Sequence, residues 1–292
     1  MIKVGDFQIT RVEEVVLDEP VELLAGFNEE IRERHRDWLE PNFYNGERNV
    51  FYSVIHTWIL RDGKRTIIID TSGGDDRDRP VSPRFHMHKR HLDHKLLAEG
   101  VEPDKVDMVF LTHLHVDHVG WNTRKEGDRF VPMFPNARYV VSSTELAARD
   151  PERGAKERPP ASWNTYLDTV KPILEAGLVD QVEGTENLGP GLDMIQIPGH
   201  APGMIGLRVR SGGQEAVFIA DVMHQPLQVY YPQWNSRYCE NQDLARETRA
   251  KVLKHAVDEG ALLLPAHFGD PYAGYVWPDS GGYRFEPVVW TK

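Results

Sequence analysis

Short apolar runs separated by polar turn signals recur along the chain, at positions 52–60, 66–69, 108–111, 139–141, 194–197, 205–209, 216–219 and 261–264. Runs of this length between turn signals predict strands. The first ten residues alternate apolar and polar positions as a strand does. Between these runs, 90–99, 163–176 and 243–258 suit helices, and in the last Leu244, Val252, Leu253 and Val257 fall on one face. Intermixed strands and helices predict an α/β protein, and no repeat or linker divides positions 1–292, so the expectation is a single domain.

Two segments look like decorations on that domain. Segment 28–49 is dense in charge, with Trp38, Phe43 and Tyr44 interspersed, and reads as a solvated helix and loop rather than a lid or subunit-contact arm. Segment 73–95 carries His86, His88, His91 and His94 without carboxylates at ligand spacing, and these histidines read as exposed rather than as a second metal site.

Composition narrows the function. The single cysteine, Cys239, excludes an internal disulfide and a Cys-rich metal site. With 45 Asp and Glu against 34 Lys and Arg, the net charge of −11 argues against nucleic acid as a partner. There is no apolar stretch of membrane-spanning length and no signal-peptide core, so no membrane partner and a cytoplasmic location are expected.

The chemistry concentrates in MVFLTHLHVDHVG, 108–120. An apolar run ends at Thr112, and His113, His115, Asp117 and His118 follow on the loop leaving its carboxyl end, where open α/β sheets place their sites. Residues two apart in extended chain point the same way, so His113 and His115 can meet one ion; Asp117 and His118 lie past the strand and can face a second. Three further runs end in ligand types: His200 after 194–199, Asp221 after 216–220 and His267 after 261–266. Together they imply one shared rim.

On these residues the sequence resembles the metallo-β-lactamase superfamily. Its H-x-H-x-D-H signature is matched by His113, His115, Asp117 and His118, and its later ligands by His200 in PGHAPG, Asp221 in FIADVMH and His267 in PAHFG. The resemblance implies a four-layer αββα sandwich holding two divalent ions. It places His113, His115 and His200 at one ion, Asp117, His118 and His267 at the other, and Asp221 between them. It also implies that Asp70 supports the ligand loop. Zinc suits imidazole and carboxylate donors, and iron, manganese or cobalt accept the same set. Two such ions hold a bridging hydroxide at neutral pH, a nucleophile needing no Ser or Cys, with Asp117 placed to move its proton.

HVDHVGWNT (115–123), FPNARYV (134–140) and ADVMHQP (220–226) resemble the methyl parathion hydrolase-like and acyl-homoserine lactonase-like branches. The expected activity is opening of a lactone or cleavage of a small carboxylic ester, with phosphotriester hydrolysis as the alternative and a metal-stabilised binding protein without turnover as the reading from another class. The lactonases usually carry Tyr three residues after the bridging Asp. Here that residue is His224, a candidate catalytic hydrogen-bond donor or acid, with Tyr230 or Tyr231 as other groups able to reach in. Trp121, Met223, Tyr230, Tyr231 and Trp234, close in sequence to the ligands, together suggest a pocket for a small apolar organic substrate, and no Arg or Lys clamp for an anionic one stands out. A homodimer is a candidate assembly.

Overall fold

The computed structural model describes residues 1–290. Two mixed sheets face each other. The first runs, in spatial order, Ile2–Val4, Phe7–Pro20, Val50–Arg61, Thr66–Ile69, Met108–Phe110, Arg138–Ser142 and Val179–Val182, with Tyr44–Asn45 paired onto Val50–Arg61. The second runs Glu186–Gly189, Leu192–Gln196, Ile205–Ser211, Gln214–Ala220, Leu262–Pro265, Gly274–Asp279 and Gly282–Pro287.

The apolar runs are continuous because both faces of their strands are covered. Ile67 and Ile69 point into the space between the sheets, while Ile68 packs outward. Phe110, Phe218, Leu262 and Leu264 also fill the inter-sheet core, whereas Val109, Val217, Ile219 and Leu263 face outward. Leu92 and Leu96 of helix Leu92–Ala98 and Ile173 of helix Lys171–Glu175 cover the outer face of the first sheet. Val252, Leu253 and Ala256 of helix Gln242–Glu259 cover the second. These are the four layers, αββα, that the resemblance implied.

Both expected decorations lie on the surface but send side chains into the interior. Segment 28–49 does form a helix, Glu29–Leu39, capped by Asn28 Oδ1 accepting from Ile31 N–H at 3.0 Å. Its inner face is not solvated, however, because Ile31, His35 and Leu39, with Phe43 and Tyr44 beyond it, are buried. Segment 73–95 sends Arg77 and Arg79 inside. Arg77 donates to the Gly120 and Thr123 carbonyls at 2.6 and 2.5 Å, and Arg79 makes a bidentate pair with Asp168 at 2.8 and 2.7 Å. Its four histidines stay exposed, as expected, but His91 and His94 gather with Asp93 at ligand spacing, their ligand atoms within 4.8 Å of one another, which corrects the expectation that no carboxylate backs them.

The architecture brings the chemistry to one rim. Thr66–Ile69, Met108–Phe110 and Arg138–Ser142 are parallel, so Asp70 and the 112–118 loop emerge together at their carboxyl ends. Gln214–Ala220 and Leu262–Pro265 are also parallel, and deliver Asp221 and His267 to the same end. The sheets are stitched there: Ile205 N–H donates to Thr112 O at 2.9 Å, and Val54 N–H to His267 O at 3.1 Å.

Candidate metal centre

The ligand loop is held by carboxylates before any ion is considered. Asp70, in the left-handed region at φ +57°, accepts from Thr112 N–H and Oγ1–H at 2.8 Å each and from His118 Nδ1–H at 2.8 Å. Glu145 is fully buried and accepts from Leu114 N–H at 3.3 Å and Gly203 N–H at 3.0 Å, tying the 112–118 loop to the loop carrying His200. That second loop turns at Gly199, φ +130°, where a Cβ would lie 2.4 Å from Ala245 N, so only glycine lets it pass helix Gln242–Glu259. A register shift between Glu13 and Val15 turns Glu14 inward. Its carboxylate accepts from Gly73 N–H, Gly74 N–H and Trp121 Nε1–H at 3.0–3.1 Å, fixing the turns beneath the loop.

All seven sequence-predicted ligands converge. His113 Nε2 and His200 Nε2 lie 3.0 and 2.9 Å from His115 Nδ1. Asp117 Oδ2 lies 3.8 Å from His118 Nε2 and 3.6 Å from His267 Nε2. Asp221 stands between the two groups: Oδ2 is 3.2 Å from both His200 Nε2 and His267 Nε2 and 3.9 Å from His113 Nε2, and Oδ1 is 3.4 Å from His118 Nε2. His224 Nε2 approaches the same Oδ2 at 3.3 Å.

The outer nitrogens decide what the inner ones offer, since a neutral imidazole carries one N–H and one lone pair. His267 Nδ1–H donates to Val54 O at 3.0 Å, and His118 Nδ1–H to Asp70. Thr112 Oγ1 gives its proton to Asp70 and so accepts from His113 Nδ1–H at 3.0 Å. His115 Nε2 lies 3.2 Å from Glu240 Oε1 and 3.0 Å from the Arg149 guanidinium, which also pairs with Glu240 at 2.6 Å. His200 Nδ1 faces the Cys239 sulfur at 3.9 Å. In their neutral forms His113, His118 and His267 therefore turn three inner lone pairs toward Asp221. Lone pairs at 3 Å repel one another unless a cation lies among them, and both His118 Nε2 and Asp221 Oδ1 are buried without a hydrogen-bond partner. The donor set fits divalent metal, and each ring's outer contact is the kind that orients metal-binding histidine.

The field agrees. Burial, with His118 and His115 alongside, holds His113 well below its ordinary pKa, and burial does the same to His200. At His118 the carboxylates of Asp221, Asp117 and Asp70 overcome burial and raise it well above, and at His267 Asp221 and Asp117 do so. Burial would raise Asp221, yet His267, His118 and His200 hold it well below. Buried Glu145 and the Arg149 and His115 contacts of Glu240, whose carboxyl is held at about 2 against burial, complete a site charged to receive cations.

These features and the chain's sequence agree with a known family: residues 52–267 match the model described as the metallo-beta-lactamase superfamily. The chain belongs to that superfamily. It is 23% identical over 209 residues to the N-acyl homoserine lactonase AiiB of Agrobacterium fabrum, a stretch covering 70% of this chain and 71% of that one. In fold it is similar to the hydrolase AbOPH, with a TM-score of 0.83 at 24% identity over 100% of this chain and 97% of that one. It is likewise similar to AidC, a dizinc quorum-quenching lactonase in complex with a product, with a TM-score of 0.79 at 20% identity and the same coverage.

Above the centre opens a cavity of about 480 Å³. His115, Asp117, His200, Asp221, His224 and His267 form its floor. Leu17, Ile55, Val81, Phe85, Leu114 and Val116 supply apolar wall, and Tyr166 and Tyr238 the aromatic hydroxyls. None of Trp121, Met223, Tyr230, Tyr231 or Trp234 lines it, which corrects the expectation drawn from their nearness in sequence. Trp121 Nε1 is engaged by Glu14, Met223 is in the core, Tyr230 stacks on Trp38, and Tyr231 stacks on Trp234 while its hydroxyl bonds His35 Nε2 at 2.9 Å. Three arginines that the sequence did not mark do line the cavity. Arg84 pairs with Glu19, Arg149 with Glu145 and Glu240, and Arg158 with Glu240 at 3.3 Å, so the wall is electrically matched. Glu145 and Arg149 pair one turn apart on helix Ser143–Arg149, and Glu240 reaches them from a distant part of the chain, so no ligand-type spacing marked the three. Among the described residues no helix is long and apolar enough to cross a membrane.

Proposed function

We propose that this hydrolase of the metallo-β-lactamase superfamily works with two divalent ions, zinc by default, to open a lactone or cleave a small carboxylic ester. The observation that carries the reading is the crowding of inward lone pairs around Asp221 with their outer nitrogens tied off. His113, His115 and His200 would hold one ion, Asp117, His118 and His267 the other, and Asp221 both. Such a pair, when bound, supplies Lewis acidity and an activated water near neutral pH.

The chain's own groups do the rest. Asp117, at the cavity floor with 19% of its side chain exposed, is placed to take a proton from that water and pass it to a leaving alkoxide. The apolar walls exclude bulk water from the reacting bond. Because each arginine in the wall already faces a carboxylate, the cavity suits a neutral substrate, and an anionic diester would find no unmatched cation. The lactonases named among the relatives support a lactone. A phosphotriester is also neutral, and the matched wall admits it equally.

A panel of aryl esters, lactones and paraoxon-like triesters, run on native, chelated and remetallated protein, tests the reading. Turnover of ester or lactone, lost on chelation and restored by zinc, is the expected result. Turnover confined to the triester moves the substrate class. A fully metallated chain that hydrolyses nothing yet binds a small molecule tightly overturns the proposal in favour of a binding protein.

A further inference from the structure

We infer that His224 is a positioning residue: its Nε2–H donates to Asp221 Oδ2 and fixes the orientation and donor strength of the carboxylate shared by both ions. The inference rests on the metal reading above and gives a distinct role to the one imidazole at the centre that the ligand pattern does not absorb.

His224 differs from its neighbours in its outer contacts. His113, His118 and His267 each tie the outer nitrogen to an oxygen acceptor, which in the neutral ring leaves the inner nitrogen without a proton. His224 Nδ1 is buried with no partner at all. Its Nε2, 3.3 Å from Asp221 Oδ2, has a carboxylate as its neighbour. The two tautomers are therefore unequal. With the proton on Nδ1, a buried N–H goes unpaired and a lone pair is aimed at a carboxylate oxygen, two unfavourable contacts at once. With the proton on Nε2, the 3.3 Å contact turns an N–H toward the carboxylate, an attractive contact, and only a lone pair is left idle. The backbone holds the ring in that pose: His224 N–H donates to Gln228 Oε1 at 2.6 Å, and Gln228 Nε2–H to Trp234 O at 3.0 Å.

The consequence falls on both ions, because Oδ2 is the atom within 3.2 Å of a nitrogen from each ligand group. A proton donated to that oxygen withdraws charge from it and prevents the carboxylate from rotating toward one ion at the expense of the other. His224 also lies on the cavity floor, so its removal opens space beside the shared oxygen.

The test uses the full chain in three forms, wild type, His224→Ala and His224→Gln, loaded with cobalt and with zinc. The inference expects two equivalents in each at saturation, a 10–100-fold weaker affinity in His224→Ala, and visible cobalt bands of both sites displaced together. His224→Gln, whose amide N–H can donate, returns bands and affinity toward wild type. In zinc-loaded wild type with ¹⁵N-labelled histidine, the resonance missing from His224→Gln shows a neutral ring protonated at Nε2. Superimposable spectra and affinities for wild type and His224→Ala overturn the inference. So does loss of one equivalent that Gln does not restore, or a ring protonated at Nδ1, which makes His224 a ligand. A wild type that takes up no ion sinks the metal reading itself, and the tautomer observed in that protein then decides the hydrogen bond alone.

Discussion

Replacing Asp70 by Asn isolates what the ligand loop owes to one carboxylate. The left-handed backbone at Asp70, φ +57°, is tolerated by Asn, so the chain path is not the variable. What changes is the match of donors to acceptors. Asp70 Oδ2 accepts from Thr112 Oγ1–H and His118 Nδ1–H, and Oδ1 from Thr112 N–H. An Asn that keeps its oxygen at Oδ2 must turn its amide NH₂ against Thr112 N–H, donor facing donor; the flipped amide loses two contacts instead. At least one buried N–H is left unpaired, which costs about 1–3 kcal/mol. The carboxylate that orients His118 also loses its charge, and such a change typically weakens metal affinity 10–100-fold. Urea unfolding of the metal-free protein should report the first quantity, and competition with a chromophoric chelator the second. Asp70→Asn protein within about 0.5 kcal/mol of wild type in stability and equal to it in affinity would refute the reasoning that the loop is organised from Asp70.

Other consequences are as direct. Asp221→Ala removes the oxygen common to both groups and should release both ions, read by elemental analysis, whereas loss of one alone would show that Asp221 serves a single site. Arg79→Ala leaves Asp168 buried without its bidentate partner and should cost about 3–5 kcal/mol, checked by denaturant unfolding; because segments on both sides of that pair line the cavity, KM should rise in any variant that still folds. The Cys239 thiol is buried and pushed up to about 11, so it is protonated at pH 8 and should resist a disulfide reagent until denaturant is added, when one equivalent reacts. His91→Ala with His94→Ala should leave the metal count unchanged, since their group with Asp93 is largely exposed and shares no residue with the groups around Asp221.

The sequence made the centre legible because its ligands follow strands. His113, Asp221 and His267 each end an apolar run, and parallel pairing must carry such ends to one side. The buried strands were legible for the same reason: 66–69 matches Thr66–Ile69 residue for residue. Strands with weak apolar signal were not. Gly274–Asp279 and Gly282–Pro287 are largely exposed at a sheet edge, and Thr123–Glu126 with Arg129–Pro132 forms a polar hairpin. Segment 73–95 looked like surface because it is charged, but Arg77 and Arg79 find buried carbonyls and a carboxylate far along the chain. The cavity wall was illegible for a similar reason. Nearness in sequence to a ligand put Trp121 and Tyr230 under consideration, while Phe85, Tyr166 and Tyr238, which line the space, come from three separate segments far from the ligands in sequence or joined to the site only by long-range contacts such as Tyr238 with Glu19.

Cations among the inward-facing nitrogens and carboxylates are what the centre is built to hold, and metal stoichiometry of purified, remetallated protein measures that directly. Two divalent ions per chain are predicted, both lost in Asp221→Ala and both retained when His91 and His94 are replaced. A wild-type chain that holds none, or whose ions survive removal of Asp221, would contradict it.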